Sequence, residues 1–442
     1  MGTVRSGGGP PANGNGHRAP GDQDLGQYRV LIYSHDSFGL GHLRRCRTIA
    51  HSLVAHHKKL NVLILSGSPI LGRFSFRSRV DFVRVPGIIK RRNGEYTSLN
   101  LDFHVEQTLA LRASIIEHTA RVFRPDLFLV DKEPLGLLGE VRSTLAHLRR
   151  QGGTRLVLGL RDIMDDPTSL AEEWRRKRVI PALKRFYHQI WVYGLSQVYD
   201  PIEAYGLPAE IAAKTTFTGY LPRETNPEVS LPADVQATVQ QGPFLLVTPG
   251  GGGDGALLVD ATLSAYERHN ARLPWPALVV YGPFLPARER AAFERRAARL
   301  SRVTTLEFHE HLENLVEKAA GVVCLGGYNT FCEVLSLKKR SLIVPRVTPR
   351  AEQLLRAQAA AGLGLAQTLD PSRLTPETLA EAIIHLPEQP PPATHRVPGL
   401  LDGLRFINQA VAQWRVEGPS RPRLRALERA GVIRRAPARR AV

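Results

Sequence analysis

The sequence predicts an α/β protein made of two doubly wound domains, each with a parallel sheet, that face each other across a cleft. Short apolar runs rich in β-branched residues alternate with longer segments of helical periodicity. A strand that is apolar along its whole length needs cover on both faces, which helices provide in a parallel sheet. A polar, proline-containing stretch at 219–236 divides the alternation into two series, and 442 residues suffice for two or three domains.

The predicted strands set the limits of these domains. In the first series they lie at 29–34, 60–66, 126–131, 155–161 and 189–194. In the second series they are the runs PFLLVTPG, PALVVYG, RVTTLEF, GVVCLGG and SLIVP. We therefore divide the chain into an N-terminal tail (1–27), a first domain (28–221), a linker (222–241), a second domain (242–397), a C-terminal helix (398–417) and a basic tail (418–442).

The composition is that of a globular protein without a membrane span. Of the residues, 43% are hydrophobic and 23% are charged. No apolar run approaches the roughly 18 to 20 residues that a spanning helix needs, and the first 26 residues lack the apolar segment of a secretory signal. The cysteines Cys46, Cys324 and Cys332 have no paired spacing, which predicts buried, unpaired thiols in a reducing compartment. We expect a cytoplasmic protein.

The formal net charge of +18 predicts affinity for anions, which include nucleic acid, anionic lipid and phosphorylated substrates. Much of the excess lies in the arginine-rich segment 421–440, after the last predicted helix. The sequence has no helix-turn-helix pattern, no paired zinc ligands and no RNA-binding motif with interleaved aromatic residues, so we expect no nucleic-acid partner. Peripheral contact of the basic tail with an anionic membrane is one alternative, and an arginine-rich end without a partner is the other.

Two glycine-rich junctions between a strand and a helix predict a site for phosphate groups. Without side chains the backbone approaches an anion closely, and the first N–H groups of the following helix point at it. The glycines concerned are Gly250, Gly251, Gly252, Gly253, Gly326 and Gly327. Asn329 and Thr330 open the second helix, and Glu333 lies one turn into it, where a carboxylate can accept hydrogen bonds from a ribose. Two such helix starts facing one cleft suit a nucleotide diphosphate; the alternative is a merely flexible turn.

The stretch SHDSFGLGHLRRC, at 34–46, follows the first predicted strand and supplies the candidate catalytic residues. Gly39 and Gly41 allow a tight turn that presents His42 to the cleft. A neutral histidine there would take the proton of an acceptor hydroxyl or hydrogen-bond the phosphates, and Asp36 is an alternative base. The other interpretation is a histidine that only caps the helix or packs against its neighbours. Arg44, next on the helix, faces either phosphate or solvent.

The ends of two other strands carry acidic residues. Asp131 and Glu133 follow the predicted strand at 126–131 and are candidates for acceptor contacts, with helix capping as the alternative. The acids of LRDIMDD, at 160–166, are assigned to acceptor-side structure rather than to Mg²⁺. The triplet HEH, at 309–311, lacks the helical spacing of a zinc site, so we expect no metal there.

The segment GGYNTFCEVLSLKKRSLIVPRVTPRAEQLLRAQAAAGLG, at 326–364, resembles the nucleotide-sugar half of GT-B fold glycosyltransferases, especially the peptidoglycan glucosaminyltransferase family. The resemblance covers about residues 28–415 and is strongest in the second domain. It implies two Rossmann-like domains, a ribose-binding role for Glu333, and contacts from Glu352 and Gln353 to the donor sugar or phosphates. It also implies that helix dipoles and cationic side chains stabilise the departing diphosphate without a metal or other cofactor. Arg350, where this sequence departs from the family pattern, is our candidate for offsetting that charge.

These observations together predict a glycosyltransferase. It would move a hexose-type sugar from a nucleotide diphosphate, such as a UDP-sugar, to a hydroxyl acceptor that is lipid-linked or small, with inversion. A second interpretation is hydrolysis, because GLGHLRRC is similar to the G-x-G-H-x-x-R-C loop of the nucleotide-sugar hydrolase family of pseudaminic acid synthesis. Epimerisation, non-catalytic nucleotide-sugar binding and a basic scaffold are the remaining alternatives.

Overall fold

The computed structural model describes residues 27–35, 41–90, 95–227, 230–251 and 253–418. They form two α/β domains, each built on a parallel sheet with helices on both faces. The strands of the first domain are β1 (Tyr28–Ser34), β2 (Leu60–Ser66), β3 (Val80–Arg84), β4 (Ile88–Lys90), β5 (Tyr96–Ser98), β6 (Leu127–Asp131), β7 (Arg155–Arg161), β8 (Gln189–Tyr193) and β9 (Thr215–Phe217). Those of the second domain are β10 (Leu245–Thr248), β11 (Ala277–Val280), β12 (Val303–Leu306), β13 (Gly321–Cys324), β14 (Ser341–Ile343) and β15 (Gln367–Thr368).

The helices alternate with these strands, as the sequence pattern predicts. Before the linker they are α1 (Gly41–His56), α2 (Val105–Phe123), α3 (Arg142–Gln151), α4 (Pro167–Arg176), α5 (Val179–Phe186), α6 (Pro201–Ala204) and α7 (Ala209–Ala212). After it they are α8 (Ala233–Gln240), α9 (Ala256–His269), α10 (Ala287–Ala297), α11 (Leu312–Lys318), α12 (Tyr328–Ser336), α13 (Glu352–Gly362), α14 (Pro376–Ile384) and α15 (Gly403–Glu417).

The order of strands in both sheets is that of a doubly wound fold. The first sheet has the order β3-β2-β1-β6-β7-β8-β9 and the second has the order β12-β11-β10-β13-β14-β15. Every neighbouring pair in them is parallel; Val30 of β1, for example, lies between Val62 of β2 and Leu127 of β6. In each sheet the chain reverses its direction of winding beside the first strand, so β1 and β10 flank the crevice where such folds bind ligands.

The sequence predictions of the central strands are confirmed, and those it missed lie at the edges. The strands predicted at 60–66 and 155–161 coincide with β2 and β7. The sequence analysis did not predict the small antiparallel pair β4–β5 or the edge strands β3, β9 and β15. An edge strand pairs on one side only and is less buried; β3 reads VDFVR, with charged residues at its second and last positions.

The linker and the C-terminal helix fasten the domains together. Part of the predicted linker is α8, where Thr238 hydrogen-bonds Thr304 of β12 at 2.8 Å. The C-terminal helix α15 returns to the first domain, where Trp414 stacks on Trp191 with ring centroids 5.6 Å apart. The three cysteines are buried and unpaired, which confirms that prediction.

A fully buried ion pair also joins the domains close to the cleft. Asp162 follows β7 in the first domain, and Arg356 lies on α13 in the second. Nε and Nη2 of Arg356 donate to the two oxygens of Asp162 at 2.7 and 2.6 Å, and the Tyr220 hydroxyl donates to the same carboxylate at 2.8 Å. Since every oxygen is hydrogen-bonded, this pair fixes the relative position of β7 and α13.

Candidate active site

The loops that follow the central strands of the two sheets meet between the domains. Asn329, at the start of α12, donates from Nδ2 to the carbonyl oxygen of Gly41, at the start of α1, at 3.0 Å. Its Oδ1 accepts a hydrogen bond from Arg223 of the linker at 2.8 Å. Gly41, predicted on the acceptor side, and Asn329, predicted on the donor side, are therefore adjacent. The predicted residues Asp36 and Gly39 lie outside the described part of the chain.

His42 belongs to a buried cluster with Asp131 and Arg45. His42 is the second residue of α1, and Asp131 ends the neighbouring strand β6. The Asp131 carboxylate accepts a hydrogen bond from His42 Nδ1. It also accepts two from Arg45, at 2.8 Å from Nε and at 2.6 Å from Nη2. Arg45 and Asp131 thus form a bidentate ion pair, and Asp131 in turn orients the imidazole ring of His42.

The electrostatics of this cluster keep the histidine neutral. Burial is the main cause that lowers the pKa of His42 to about 4, with Arg45 and Lys132 acting in the same direction and Asp131 opposing them. Burial is the largest single influence and would raise the pKa of Asp131, but the charges and hydrogen bonds of Arg45 and His42 together outweigh it and hold that pKa well below its usual value. With Nδ1–H directed at Asp131, the neutral ring has its lone pair on Nε2, the arrangement that a general base requires.

Asp131 was predicted to contact an acceptor, which stays a prediction. In the structure only 1% of the residue is exposed, and Arg45 and His42 occupy its oxygens. Glu133 was predicted for the same task. It is also buried, and it forms an ion pair with Lys177 at 3.0 Å. Both carboxylates therefore hold neighbouring side chains of the cleft wall in position.

The wall contains two further groups that the sequence did not single out. The buried ring of His35, one residue beyond β1, lies edge-on to His42, with centroids 5.5 Å apart. Lys132 has a left-handed backbone with φ of 66°, a strained conformation that functional loops often contain. Burial lowers the pKa of Lys132 to about 8, with neighbouring arginines adding to the effect.

The first glycine junction lies between β10 and α9. Gly250 has φ of 80°, and its N–H donates to Thr248 Oγ1 at 3.1 Å. A Cβ built on Gly250 would lie 3.9 Å from Thr330 Oγ1, so this turn reaches the start of α12. Gly251 and Gly253 belong to the same turn. Gly252 falls outside the described residues.

The second glycine junction lies between β13 and α12. Gly326 has φ of 74°, and a Cβ there would be only 2.6 Å from Ile343 Cγ2, so no larger residue fits. No side chain caps the N-terminus of α12 at Gly327 in the described structure. The free N–H groups at the start of α12 and the turn at Gly250 are therefore neighbours, as an anion site needs.

Glu333 is completely buried in α12, and an arginine from the other domain contacts it. Arg44 Nη2 donates to Glu333 Oε1 and lies 3.4 Å from Glu313 Oε2. Burial raises the pKa of Glu333, while Arg44 partly opposes that rise. Glu333 Oε2 has no hydrogen-bond partner among the described residues. Arg44, for which phosphate and solvent were both considered, instead pairs with carboxylates.

Glu352 and Gln353 begin α13 on the other side of the second glycine junction. Arg346 holds both: its Nη2 donates to Glu352 Oε1 at 2.7 Å, and its backbone N–H donates to Gln353 Oε1 at 3.1 Å. Glu352 is buried, and its Oε2 also lacks a partner among the described residues. A Cβ built on Gly327 would lie 4.0 Å from Gln353 Nε2, which places both predicted donor residues beside the junction.

Arg350 has a different set of partners from the one predicted. Nη1 donates to Asp165 at 3.1 Å and Nη2 donates to Glu173 at 2.9 Å, and both acids belong to the first domain. Asp165 also accepts the backbone N–H of Ala351 at 2.9 Å. Both terminal nitrogens of Arg350 therefore have carboxylate partners, and the arginine links the two domains. Its contact with a diphosphate stays a prediction.

Comparisons with known proteins agree with this architecture. Residues 245–396 match the glycosyltransferase family 28 C-terminal domain. The UDP-glucosyltransferase from Polygonum tinctorium capable of glucosylating indoxyl has a TM-score of 0.57 at 14% identity, over 88% of this chain and 99% of its own. UGT2 of Phytolacca americana, complexed with UDP-2fluoro-glucose and pterostilbene, has a TM-score of 0.55 at 14% identity, over 87% and 94%. The glycosyltransferase of kitacinnamycin has a TM-score of 0.54 at 14% identity, over 92% and 99%.

The chain is a GT-B fold protein with a family 28 C-terminal domain. At these identities the solved structures show the fold alone, and the family match shows that residues 245–396 are similar to the glycosyltransferase family 28 C-terminal domain. A comparison with curated protein sequences finds no match. The family 28 domain contains both glycine junctions together with Glu333, Glu352 and Gln353, the residues for which the sequence predicts donor binding.

Two further findings concern the part of this GT-B protein that the structure describes. It contains no group of three or more histidine, cysteine, aspartate or glutamate side chains placed to hold a metal ion. His311, from the triplet HEH, instead donates a hydrogen bond from Nδ1 to Glu313 Oε1 at 3.0 Å. Among the same residues no helix is both long and apolar enough to cross a membrane. The metal-free reaction and the membrane contact of the basic tail, which lies outside the described residues except for Gly418, stay predictions.

Proposed function

We propose that this protein transfers a sugar from a nucleoside diphosphate to a hydroxyl acceptor, with His42 as the general base. The observation that carries the proposal is the buried cluster of His42, Asp131 and Arg45, which holds a neutral, oriented histidine at the start of α1. This helix start is in contact with the start of α12, where the phosphate groups of a donor would lie. A base and an anion site on opposite sides of one cleft are the two parts that glycosyl transfer requires.

The reaction assigns a task to each part of the cluster. The acceptor hydroxyl gives its proton to His42 Nε2, and its oxygen forms a bond to the anomeric carbon of the donor sugar. The bond from that carbon to the diphosphate breaks, and the diphosphate leaves with the electron pair. Asp131 stabilises the imidazolium that forms, since a carboxylate favours the charged form of a nearby histidine. A single displacement of this kind inverts the anomeric carbon.

The donor would bind to the family 28 domain. Its diphosphate would accept hydrogen bonds from the N–H groups at the start of α12 and from the turn at Gly250, which also stabilise the charge on the leaving group. The free oxygen of Glu333 suits a ribose hydroxyl, and that of Glu352 suits a sugar hydroxyl. Two of the similar structures are named for UDP-glucosyl transfer or for a bound UDP-sugar, so UDP-sugars are the first donors to test.

A second candidate function is nucleotide-sugar hydrolysis by the same residues. The base at His42 would activate water as readily as an alcohol, and the loop GLGHLRRC that contains it has the G-x-G-H-x-x-R-C pattern noted above. The two reactions share the donor site and the base and differ only in the nucleophile. The structure of the donor side therefore serves either proposal.

The test is incubation of the protein with a panel of nucleotide sugars, with and without a panel of hydroxyl acceptors. Release of nucleoside diphosphate that depends on an added acceptor supports the transferase. Release with free sugar and without acceptor supports the hydrolase. Tight binding of a nucleotide sugar without turnover under every condition would refute both and leave a binding protein.

A further inference from the structure

A cavity of about 580 Å³ lies at the junction of the two domains, on the face of α1 opposite to His42. Seven α1 residues line it, at positions 44, 47, 48, 51, 52, 55 and 56, and together they cover about half of the helix circumference. The linker at 222–227, the loop at 75–77 and the start of α11 form the other walls. None of the described glycines of the donor junctions lines it, and neither does His42.

The charged walls of this junction cavity are predominantly cationic. Its arginines outnumber its carboxylates by two to one, and three histidines, His51, His56 and His311, also line it. The charged residues are Arg44, Arg47, Arg77, Arg223, Glu224 and Glu313. Burial is the main cause that lowers the pKa of His51 to about 3, with Arg47, Arg77 and His311 adding to the effect. An anion in the cavity would relieve this repulsion.

The walls are held in place by contacts that cross the domains. Arg47 donates to the Ser75 carbonyl oxygen at 2.8 Å and to the Ser75 hydroxyl at 3.1 Å. The Ser75 N–H donates in turn to Glu310 of the second domain at 3.0 Å. The cavity is therefore formed before any ligand arrives, which lowers the entropy cost of binding.

Two groups in the cavity have side-chain nitrogen atoms that make no hydrogen bond within the described structure. His311 is only 5% exposed, and its Nε2 has no hydrogen-bond partner among the described residues. The guanidinium group of Arg77 makes no hydrogen bond or ion pair within the same residues, and this exposed residue lines the cavity. Glu310 Oε1 lies 3.7 Å from Nε2 of His311, and that nitrogen donates to an anion only when the ring is protonated, because Nδ1–H is directed at Glu313. The guanidinium group of Arg77 therefore offers the free donors that a multidentate anion needs.

We propose that the junction cavity binds a small phosphorylated molecule, as a site separate from the donor site. A phosphate group offers several acceptor oxygens and more than one negative charge, which match the arginines better than a single carboxylate does. The volume lies within the range of about 300 to 1,000 Å³ that is typical of small-molecule sites, so it takes more than the phosphate alone. Phe76, whose ring centroid is 6.1 Å from that of His51, provides an apolar wall for the rest of the molecule.

Arg44 connects this cavity with the donor site. It lines the cavity and also contacts Glu333, the residue proposed to bind the donor ribose. A phosphate that draws Arg44 toward the cavity frees Glu333 Oε1, so the two ligands increase each other's affinity by the same factor. This coupling rests on the proposed function, whereas the existence of the anion site does not.

Calorimetric titration with inorganic pyrophosphate in a phosphate-free buffer tests the site. We expect saturable binding that weakens about tenfold in Arg77→Gln, because one charge-assisted contact is lost. Arg288→Gln, an equal change of charge at an exposed position of α10, should leave the affinity unchanged. Arg77 is itself exposed, and thermal unfolding of both variants verifies that they fold.

Three results would overturn the proposal: absence of pyrophosphate binding to the wild-type protein, equal affinity of the wild type and Arg77→Gln, or equal losses in Arg77→Gln and Arg288→Gln. Full displacement of pyrophosphate by UDP would also count against it, since that result places the anion in the donor site. Failure of every nucleotide sugar to turn over would refute the proposed function and leave these pyrophosphate titrations unaffected.

Discussion

Among the described residues, the buried acids of the first domain are fully paired, whereas those of the second domain are not. Both oxygens of Asp131 accept hydrogen bonds from Arg45, and one of them also pairs with His42. Glu333 and Glu352 are as deeply buried, yet each has one oxygen without a partner in the described structure. A buried polar atom that lacks a partner costs free energy, so it marks a place where a ligand is expected.

This difference separates the buried acids whose oxygens all have protein partners from the buried acids that have an oxygen available for a ligand. The cluster around His42 is preorganised: the orientation and protonation of the ring are set before the substrate binds. On the donor side, the unpaired oxygens of Glu333 and Glu352 would accept hydrogen bonds from the hydroxyl groups of a ligand. Changing the first region should therefore affect stability and chemistry, and changing the second should affect binding.

The largest expected effect comes from Asp131→Asn, which removes a charge from the complete cluster. Arg45 would then be a buried cation without its counter-ion, and such changes cost about 3 to 5 kcal/mol. We expect the free energy of unfolding, measured with urea, to fall by that amount. Asp81→Asn, at an exposed position of β3, is the matched control and should change it little. A variant as stable as the wild type would show that the cluster is not a unit.

The second largest effect is expected at Glu333, one of the buried acids that has an unpaired oxygen. Glu333→Ala should weaken donor binding by about 1.5 to 3 kcal/mol, the range for hydrogen bonds to a charged group. Calorimetric titration with the nucleoside diphosphate of the preferred donor measures this loss. Glu317→Ala, at an exposed position of α11, should bind like the wild type. Equal affinities of Glu333→Ala and the wild type would remove Glu333 from the donor site.

Arg45→Gln tests the electrostatics of the complete cluster through the pH dependence of kcat/KM. The base must be neutral, so activity falls as the pH drops through the pKa of His42, which is about 4. Removing the positive charge of Arg45 takes away one cause of that low pKa and leaves Asp131, which raises it. The acid limb should move up by about one pH unit, equivalent to about 1.4 kcal/mol. Arg288→Gln should not move it, and an unmoved limb in Arg45→Gln would contradict the assignment.

The smallest effect is expected for Arg350→Gln. Because Asp165 and Glu173 occupy its guanidinium group, donor affinity should change by less than about threefold, or about 0.7 kcal/mol. Donor titration checks this expectation. A loss of tenfold or more would instead restore the role that the sequence predicts, a contact with the departing diphosphate.

The central strands and the glycine junctions were predictable from the sequence because their signals are local. Apolar runs mark β1, β2, β6 and β7, and the glycines precede helices in the same short segments. His42 and Glu333 were predictable for the same reason, since each stands at a fixed distance from a glycine turn. The edge strands were missed because pairing on one side demands little of the sequence.

The pairing of the charged residues could not be predicted. Arg45 and Asp131 are 86 residues apart, and Arg44 and Glu333 are 289 apart. Adjacent arginines on α1 point in different directions, so one enters the first domain and the other reaches the second. From the sequence, Arg44 was expected to face either phosphate or solvent. Its carboxylate partner depends on the packing of α1 against α12, which the sequence does not show.

The most direct test of the account is His42→Ala, assayed for donor affinity and for turnover at saturating donor with the acceptor identified in the panel. His385→Ala, at an exposed position, is the control. The account predicts that His42→Ala loses at least about 100-fold in turnover while its donor affinity stays within about twofold of the wild type. Collapse of donor affinity with turnover preserved would contradict it, because His42 would then be a phosphate ligand and the base would lie elsewhere.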